Sequence, residues 1–154
     1  MTRYFEDYKV GETFSSVGRT VTEADISIAM GIARYVEPVM IDEEYAKNTI
    51  FKGRIGPGRL TLFLMGGILG TSGLFDLEAI IALVGLNNIK FSSPLRAGDT
   101  IKVEAEIIDK KETSKSDRGV IVDREVCKNQ RGEVVAQIEG THLVKRRSVS
   151  ATVE

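Results

Sequence analysis

One apolar run, Leu60 to Leu69, sits in the middle of the chain, and almost everything after it reads as β-strand. The run is long enough for a buried helix and poor in β-branched residues. Gly66 and Gly67 in its middle each lower helix propensity by about 1 kcal/mol. That cost makes sense if another backbone lies against the helix at those positions. Downstream, Ile101, Val103, Ala105 and Ile107 alternate with Lys102, Glu104 and Glu106, a period of two that specifies a strand with one buried face. Segments 118–128 and 133–145 have strand character too, and Asn129-Gln130-Arg131-Gly132 between them forms a hairpin turn. Residues 79 to 91 are of mixed character. A lone apolar helix must bury its surface, and the partner on offer is an antiparallel sheet curled around it. An α+β domain follows, with one central helix wrapped by a curved antiparallel sheet.

The first half of the chain carries shorter elements. Residues 11 to 21 read as an extended segment. Thr22 with Asp25 three residues on forms a capping-box pattern. Ile26, Ala29, Met30 and Ala33 then recur at helical spacing, predicting an amphipathic helix from Glu23 to Ala33. Pro38 forces a break, and Asp42 caps a second short helix through Lys47. Gly53, Gly56, Pro57 and Gly58 form a loop before the apolar run. One domain spanning 3–147 is expected, with 148–154 as a flexible tail.

Composition excludes several functions. The 154 residues include 21 basic and 22 acidic side chains, a net charge of -1, so nothing favours nucleic acid or an anionic membrane. The short basic run Lys145, Arg146, Arg147 reads as a solvated chain end. A single cysteine, Cys127, rules out an internal disulfide framework and a cysteine-rich metal site. Cys127 is expected to be a small buried hydrophobe. Arg3, Glu6, Asp7 and Lys9 argue against a secretory segment, and the apolar run is far below the ~20 residues that span a bilayer. A cytoplasmic protein is expected. The lone histidine, His142, lies on the last strand and is expected to be structural or exposed. No metal cluster is legible, and no phosphate-cradling glycine loop occurs, since Gly66-Gly67 and Gly70 lie within the helix.

Three stretches together resemble the MaoC-like dehydratases, the group containing (R)-specific enoyl-CoA hydratases. They are EPVMIDEEYAKNTIFKGRIGPGRL (37–60), NNIKFSSPLRAGDTIKVEAEI (87–107) and NQRGEVVAQIEGTHLVKRR (129–147). The first looks like the family's Asn-Pro-x-His-x-Asp motif followed by a helix, a Phe and a glycine turn. The second is similar to its strand–turn–strand with Gly-Asp-Thr, and the third to its terminal hairpin. The resemblance implies a hotdog fold and acyl thioesters as ligands, carried on CoA or a carrier protein, with no cofactor or metal. It also implies an open sheet edge that pairs with a second copy: a homodimer, or a heterodimer with a paralogue carrying the catalytic dyad.

In the active members of that family an Asp stands three residues before the motif proline and a His two after it, and the pair activates water. Counting from Pro38, these positions are Tyr35 and Met40 here, and the family's Asn is Glu37. A second family histidine, before the helix glycine, is Pro57. The backbone N–H at the start of the central helix, which in the family faces the thioester oxygen, belongs to Gly58. Met40 and Pro57 are therefore placed with Gly58 as thioester-binding positions, and Glu37 with Tyr35 as the candidate catalytic residues. Glu37 is either a base whose pKa is raised by apolar surroundings or an ordinary surface residue. Asp42 reads as a helix cap. Arg59 reads as a surface helix residue, or as a partner for Glu37 or a CoA phosphate. The resemblance thus implies an enoyl-CoA hydratase or 3-hydroxyacyl-CoA dehydratase with a substituted site. The alternatives are a non-catalytic acyl-CoA-binding subunit of a hetero-oligomeric dehydratase, or a hotdog thioesterase.

Overall fold

The computed structural model describes residues 2–147, so the expected tail at 148–154 lies outside the described residues. Two short strands open the chain, β1 (Thr13–Ser15) and β2 (Arg19–Thr20). Helices α1 (Glu23–Ala33), α2 (Pro38–Ile41), α3 (Glu43–Lys47) and α4 (Gly58–Leu69) follow. Strands β3 (Ile80–Phe91), β4 (Thr100–Glu112), β5 (Arg118–Lys128) and β6 (Val134–Lys145) close it. The strands form one antiparallel sheet in the order β1-β4-β5-β6-β3, with β2 also paired to β4.

The expected caps hold. Thr22 accepts a hydrogen bond from the Asp25 N–H, and Asp25 accepts one from the Thr22 N–H at 2.8 Å, which sets the start of α1. Those bonds, the backbone one first, together with Arg19 2.6 Å away, hold the Asp25 carboxyl below its usual range. Asp42 caps α3 by accepting from the Tyr45 N–H at 2.9 Å. Pro38 does more than break a helix: it opens α2 at the first helical position, where its missing N–H costs nothing.

The core forms where α4 lies on one face of the sheet. Leu60, Thr61, Leu64, Met65, Ile68 and Leu69 are buried, the i, i+1, i+4, i+5 stripe of one helix face. They meet Ile101, Val103, Ala105 and Ile107 of β4 and Ile138 and Val144 of β6. The phase of that stripe overturns the expectation for Gly66 and Gly67. Both are exposed on the opposite side, and a Cβ on either would meet nothing within 4 Å, so no backbone presses on them. Phe63, 78% exposed, shares their face.

The basic run also departs from its reading. Arg146 pairs with Glu6 at 3.0 Å and Glu112 at 3.1 Å, and Arg147 with Asp7 at 2.7 Å, because β6 ends beside the first turn of the chain. The outer edge is β3, whose sole strand partner among the described residues is β6. It leaves Leu83, Val84 and Phe91 more than half exposed.

Candidate functional site

The loop that delivers the chain to α4 is held by one side chain. Arg96 donates to the carbonyl of Arg54 at 3.0 Å and to that of Phe51. Gly56 N–H then donates to the Leu95 carbonyl at 2.7 Å, which fixes Pro57 as the N-cap residue of α4. Gly53 turns beneath Arg96 with φ +152, a conformation suited to glycine. Opposite, Asp99 is 3% exposed and accepts from the Arg96 N–H at 2.9 Å, closing the turn that carries Arg96. The Gly-Asp-Thr stretch is thus a clamp for the approach to α4.

At Gly58 the first N–H groups of α4 have no partner within the helix, and the positive end of its dipole points outward. Among the described residues no acceptor engages the N–H of Gly58 or Arg59. A Cβ at Gly58 would stand 3.1 Å from the Phe91 ring, so glycine lets β3 close over this end of the helix. Two cavities flank the position. One of about 370 Å³ runs between Phe51, Thr61, Phe91 and Pro94. The other, about 480 Å³ and mostly apolar, lies between α1 and α4 and is lined by Ile28, Ile32, Tyr35, Pro57, Leu60 and Phe63 among others.

The structure gathers only part of the expected set. Tyr35 and Pro57 meet in the α1–α4 cavity, directly beside Gly58. Met40 points elsewhere, into a groove shared with Ile26 and Arg54 and a shallow one shared with Tyr35. Glu37 is exposed, lines neither cavity, and spends its carboxylate on the Val36 N–H at 3.1 Å. The apolar surroundings that would make it a base are absent, because α2 begins at Pro38 and turns the residue before it outward. Among the described residues Glu37 has no ion pair, so Arg59, exposed at the cavity rim, does not hold it. The cavity's own carboxylate, Asp25, is committed to Thr22 and Arg19.

A second constellation was not legible beforehand. Asp123 and Glu125 of β5 and His142 of β6 are 0%, 2% and 7% exposed and stand together on the buried face of the sheet. The sequence suggests no metal cluster; among the described residues, one ligand atom from each of these three falls within 4.8 Å of the others. Burial first, and the neighbouring Asp123 second, push the Glu125 carboxyl up to about 8. His142 packs on Phe75 with ring centroids 4.3 Å apart, so its structural reading holds and its exposed one does not. Cys127 is fully buried, as expected of a small buried hydrophobe, and burial pushes its thiol up to about 12.

Residues 7–130 match the family model described as MaoC like domain. An (R)-specific enoyl-CoA hydratase of Rhodospirillum rubrum is 31% identical over 144 residues, 94% of this chain and 93% of the relative. A 3-hydroxybutyryl-CoA dehydratase of Methylorubrum extorquens is 30% identical over 104 residues, 68% of this chain and 63% of the relative. Among solved structures, a monoamine oxidase regulatory protein of Archaeoglobus fulgidus superposes with a TM-score of 0.87 at 32% identity, covering 96% of this chain and 97% of that one. A MaoC-like dehydratase of Rhodospirillum rubrum gives 0.84 at 30% identity, covering 96% and 99%. A double-hotdog protein of Mycobacterium tuberculosis shares the fold, with a TM-score of 0.81 over 99% of this chain and 47% of that one. No helix among the described residues is long and apolar enough to cross a membrane.

Proposed function

Because the chain belongs to the family of the MaoC like domain, we propose that it binds acyl thioesters, on CoA or a carrier protein, and serves the hydration of enoyl thioesters or dehydration of 3-hydroxyacyl thioesters. The observation that carries this reading is the α4 N-terminus. Its unpaired N–H groups at Gly58 open between an apolar cavity and the Phe91 ring. A thioester carbonyl placed there receives a hydrogen bond that strengthens as its oxygen gains charge, and one such donor is worth about 10²–10³ in rate. The acyl chain then follows the apolar wall of Ile28, Ile32 and Leu60.

The proton-transfer half of the reaction is weak in this chain. Tyr35 stands at the cavity where the family has its Asp, and a phenol offers no carboxylate there. Glu37 faces solvent, which also weakens the thioesterase alternative, since that needs Glu37 at the thioester. A second reading follows from the same geometry: the chain is the binding subunit, and a dyad-bearing paralogue supplies the acid and base. No cofactor or metal enters either reading.

Two measurements test these statements. Purified protein should bind acyl-CoA and hydrate crotonyl-CoA far more slowly than ordinary enzyme rates, and Glu37→Gln should change neither. Loss of conjugated absorbance reports hydration, and free CoA is assayed separately. No binding of any acyl-CoA would sink the proposal, and a rate abolished by Glu37→Gln would restore Glu37 as the base. The assembly is the second test. The apolar, unpaired β3 edge fits a second copy, so the chain alone is expected to sediment at about twice its 16.9 kDa mass. A stable monomer would point to the heterodimer instead.

A further inference from the structure

Asp123 and Gly140 face each other across β5 and β6, and Glu125 and His142 are the next residues but one on the same face. Alternation therefore puts all three polar side chains on one buried face, grouped around Gly140. A Cβ there would stand 2.6 Å from His142 Nε2, 3.0 Å from Glu125 Oε1 and 3.2 Å from Asp123 Oδ1. That point is bonded to the Gly140 Cα and cannot itself hold an ion, but only glycine there leaves the nitrogen and the two carboxylate oxygens room to converge.

The atoms around that point lack partners. Both Asp123 oxygens, Glu125 Oε2 and His142 Nε2 are buried with no hydrogen bond. His142 Nε2 is 2.9 Å from Asp123 Oδ1 without the alignment of an N–H donor. Buried polar atoms are rarely left so, and two neighbouring buried carboxylates with one imidazole are costly unless a proton, as the raised Glu125 indicates, or a cation neutralises them.

We propose that Asp123, Glu125 and His142 bind a divalent transition-metal ion, with Zn²⁺ the best match, between their own ligand atoms, which lie within 4.8 Å of one another. One imidazole and two carboxylates suit zinc, whose protein ligands stand at about 2.0–2.2 Å, and a dication cancels the two carboxylate charges. The separation assigns the ion a structural role. Phe91, over the α4 N-terminus, pairs with Ala136, and His142 lies six residues further along β6, about 20 Å away at a strand's rise. The ion would tie β5 to β6 under Phe75, and it is independent of the thioester site.

Protein stripped with chelator should take up one Zn²⁺ per chain, and at a hundredfold excess over Kd its Tm should rise by roughly 5–10 °C. Asp123→Asn should weaken uptake at least about 100-fold. Co²⁺ in the wild-type protein should give the visible spectrum of a low-coordinate nitrogen–oxygen site, a readout that survives if the variant does not fold. The proposal is overturned by no stoichiometric uptake at micromolar metal, by unchanged affinity in Asp123→Asn, or by a Co²⁺ spectrum of the hydrated ion. Acyl-CoA binding should be unaffected by chelation, so the two sites fail or stand separately.

Discussion

Tyr35→Asp combined with Met40→His is expected to raise the hydration of crotonyl-CoA by about 10²–10⁴ over the wild-type chain, the usual contribution of positioned acid–base groups. The framework that the carboxylate at position 35 would enter is already built. Arg96 and Asp99 hold the loop into Pro57, the Gly58 N–H is unengaged, and Tyr35 reaches the cavity beside it. Tyr35 and Met40 also share a surface groove, so new side chains there stand near each other. The two groups act on one water, so each single substitution should give far less than the pair. The measurement is the initial rate of absorbance loss with the double variant, alongside its acyl-CoA affinity. A variant that folds, binds acyl-CoA and stays at the wild-type rate would show that α2 carries its side chains away from the thioester, as it does Glu37.

Gly119→Ala should destabilise the fold by about 3 kcal/mol, lowering Tm by roughly 6–12 °C, a large effect for one methyl group. Gly119 lies on β5 between Glu112 of β4 and Val144 of β6. The ring of Phe5, 4% exposed, occupies the space its side chain would take: a Cβ would lie 2.3 Å from Phe5 Cδ2 and 2.6 Å from Cγ. The ring has little room to retreat. Lys110 Nζ sits 4.5 Å from its centroid and donates to the Tyr8 carbonyl at 2.9 Å, and Arg146 closes over it from 5.6 Å. The alanine therefore expels Phe5 and forfeits its burial. Urea denaturation at constant slope measures the loss. In a Phe5→Ala background the same substitution should be close to neutral, since its obstacle is gone. A full loss there would place the strain in the strand itself.

The elements most legible in the sequence are those fixed by local chemistry. The Thr22–Asp25 box set α1 to the residue, and Asn129 to Gly132 fixed the β5–β6 turn, with Gly132 at φ +78. What depended on the other side of the fold was not legible. The phase of α4 against the sheet decides that Gly66 and Gly67 face outward, and nothing within the run reveals that phase. The metal-type cluster was hidden by β5 itself. Val120, Val122 and Val126 are only half-buried, whereas Asp123 and Glu125 share the buried face with Ile121 and Cys127. Hydrophobic alternation would assign the polar residues to solvent. For Glu37, distance from Pro38 gives a motif position, while its exposure depends on where α2 begins.

Pairing between β3 and β6 slips at three places, between Ile80 and Ala82, between Leu83 and Gly85, and between Asn87 and Lys90, with Asn88 at φ 50 in the last. An apolar edge of twelve residues would otherwise be a template for fibres. Stacked cross-β layers need straight six- or seven-residue stretches, and the slips leave none that long between Ile80 and Phe91. Each slip also adds local twist, so a stack of copies would diverge after a few residues. During synthesis and refolding at high concentration, the edge can close around one matching neighbour while offering an amyloid nucleus nothing to extend.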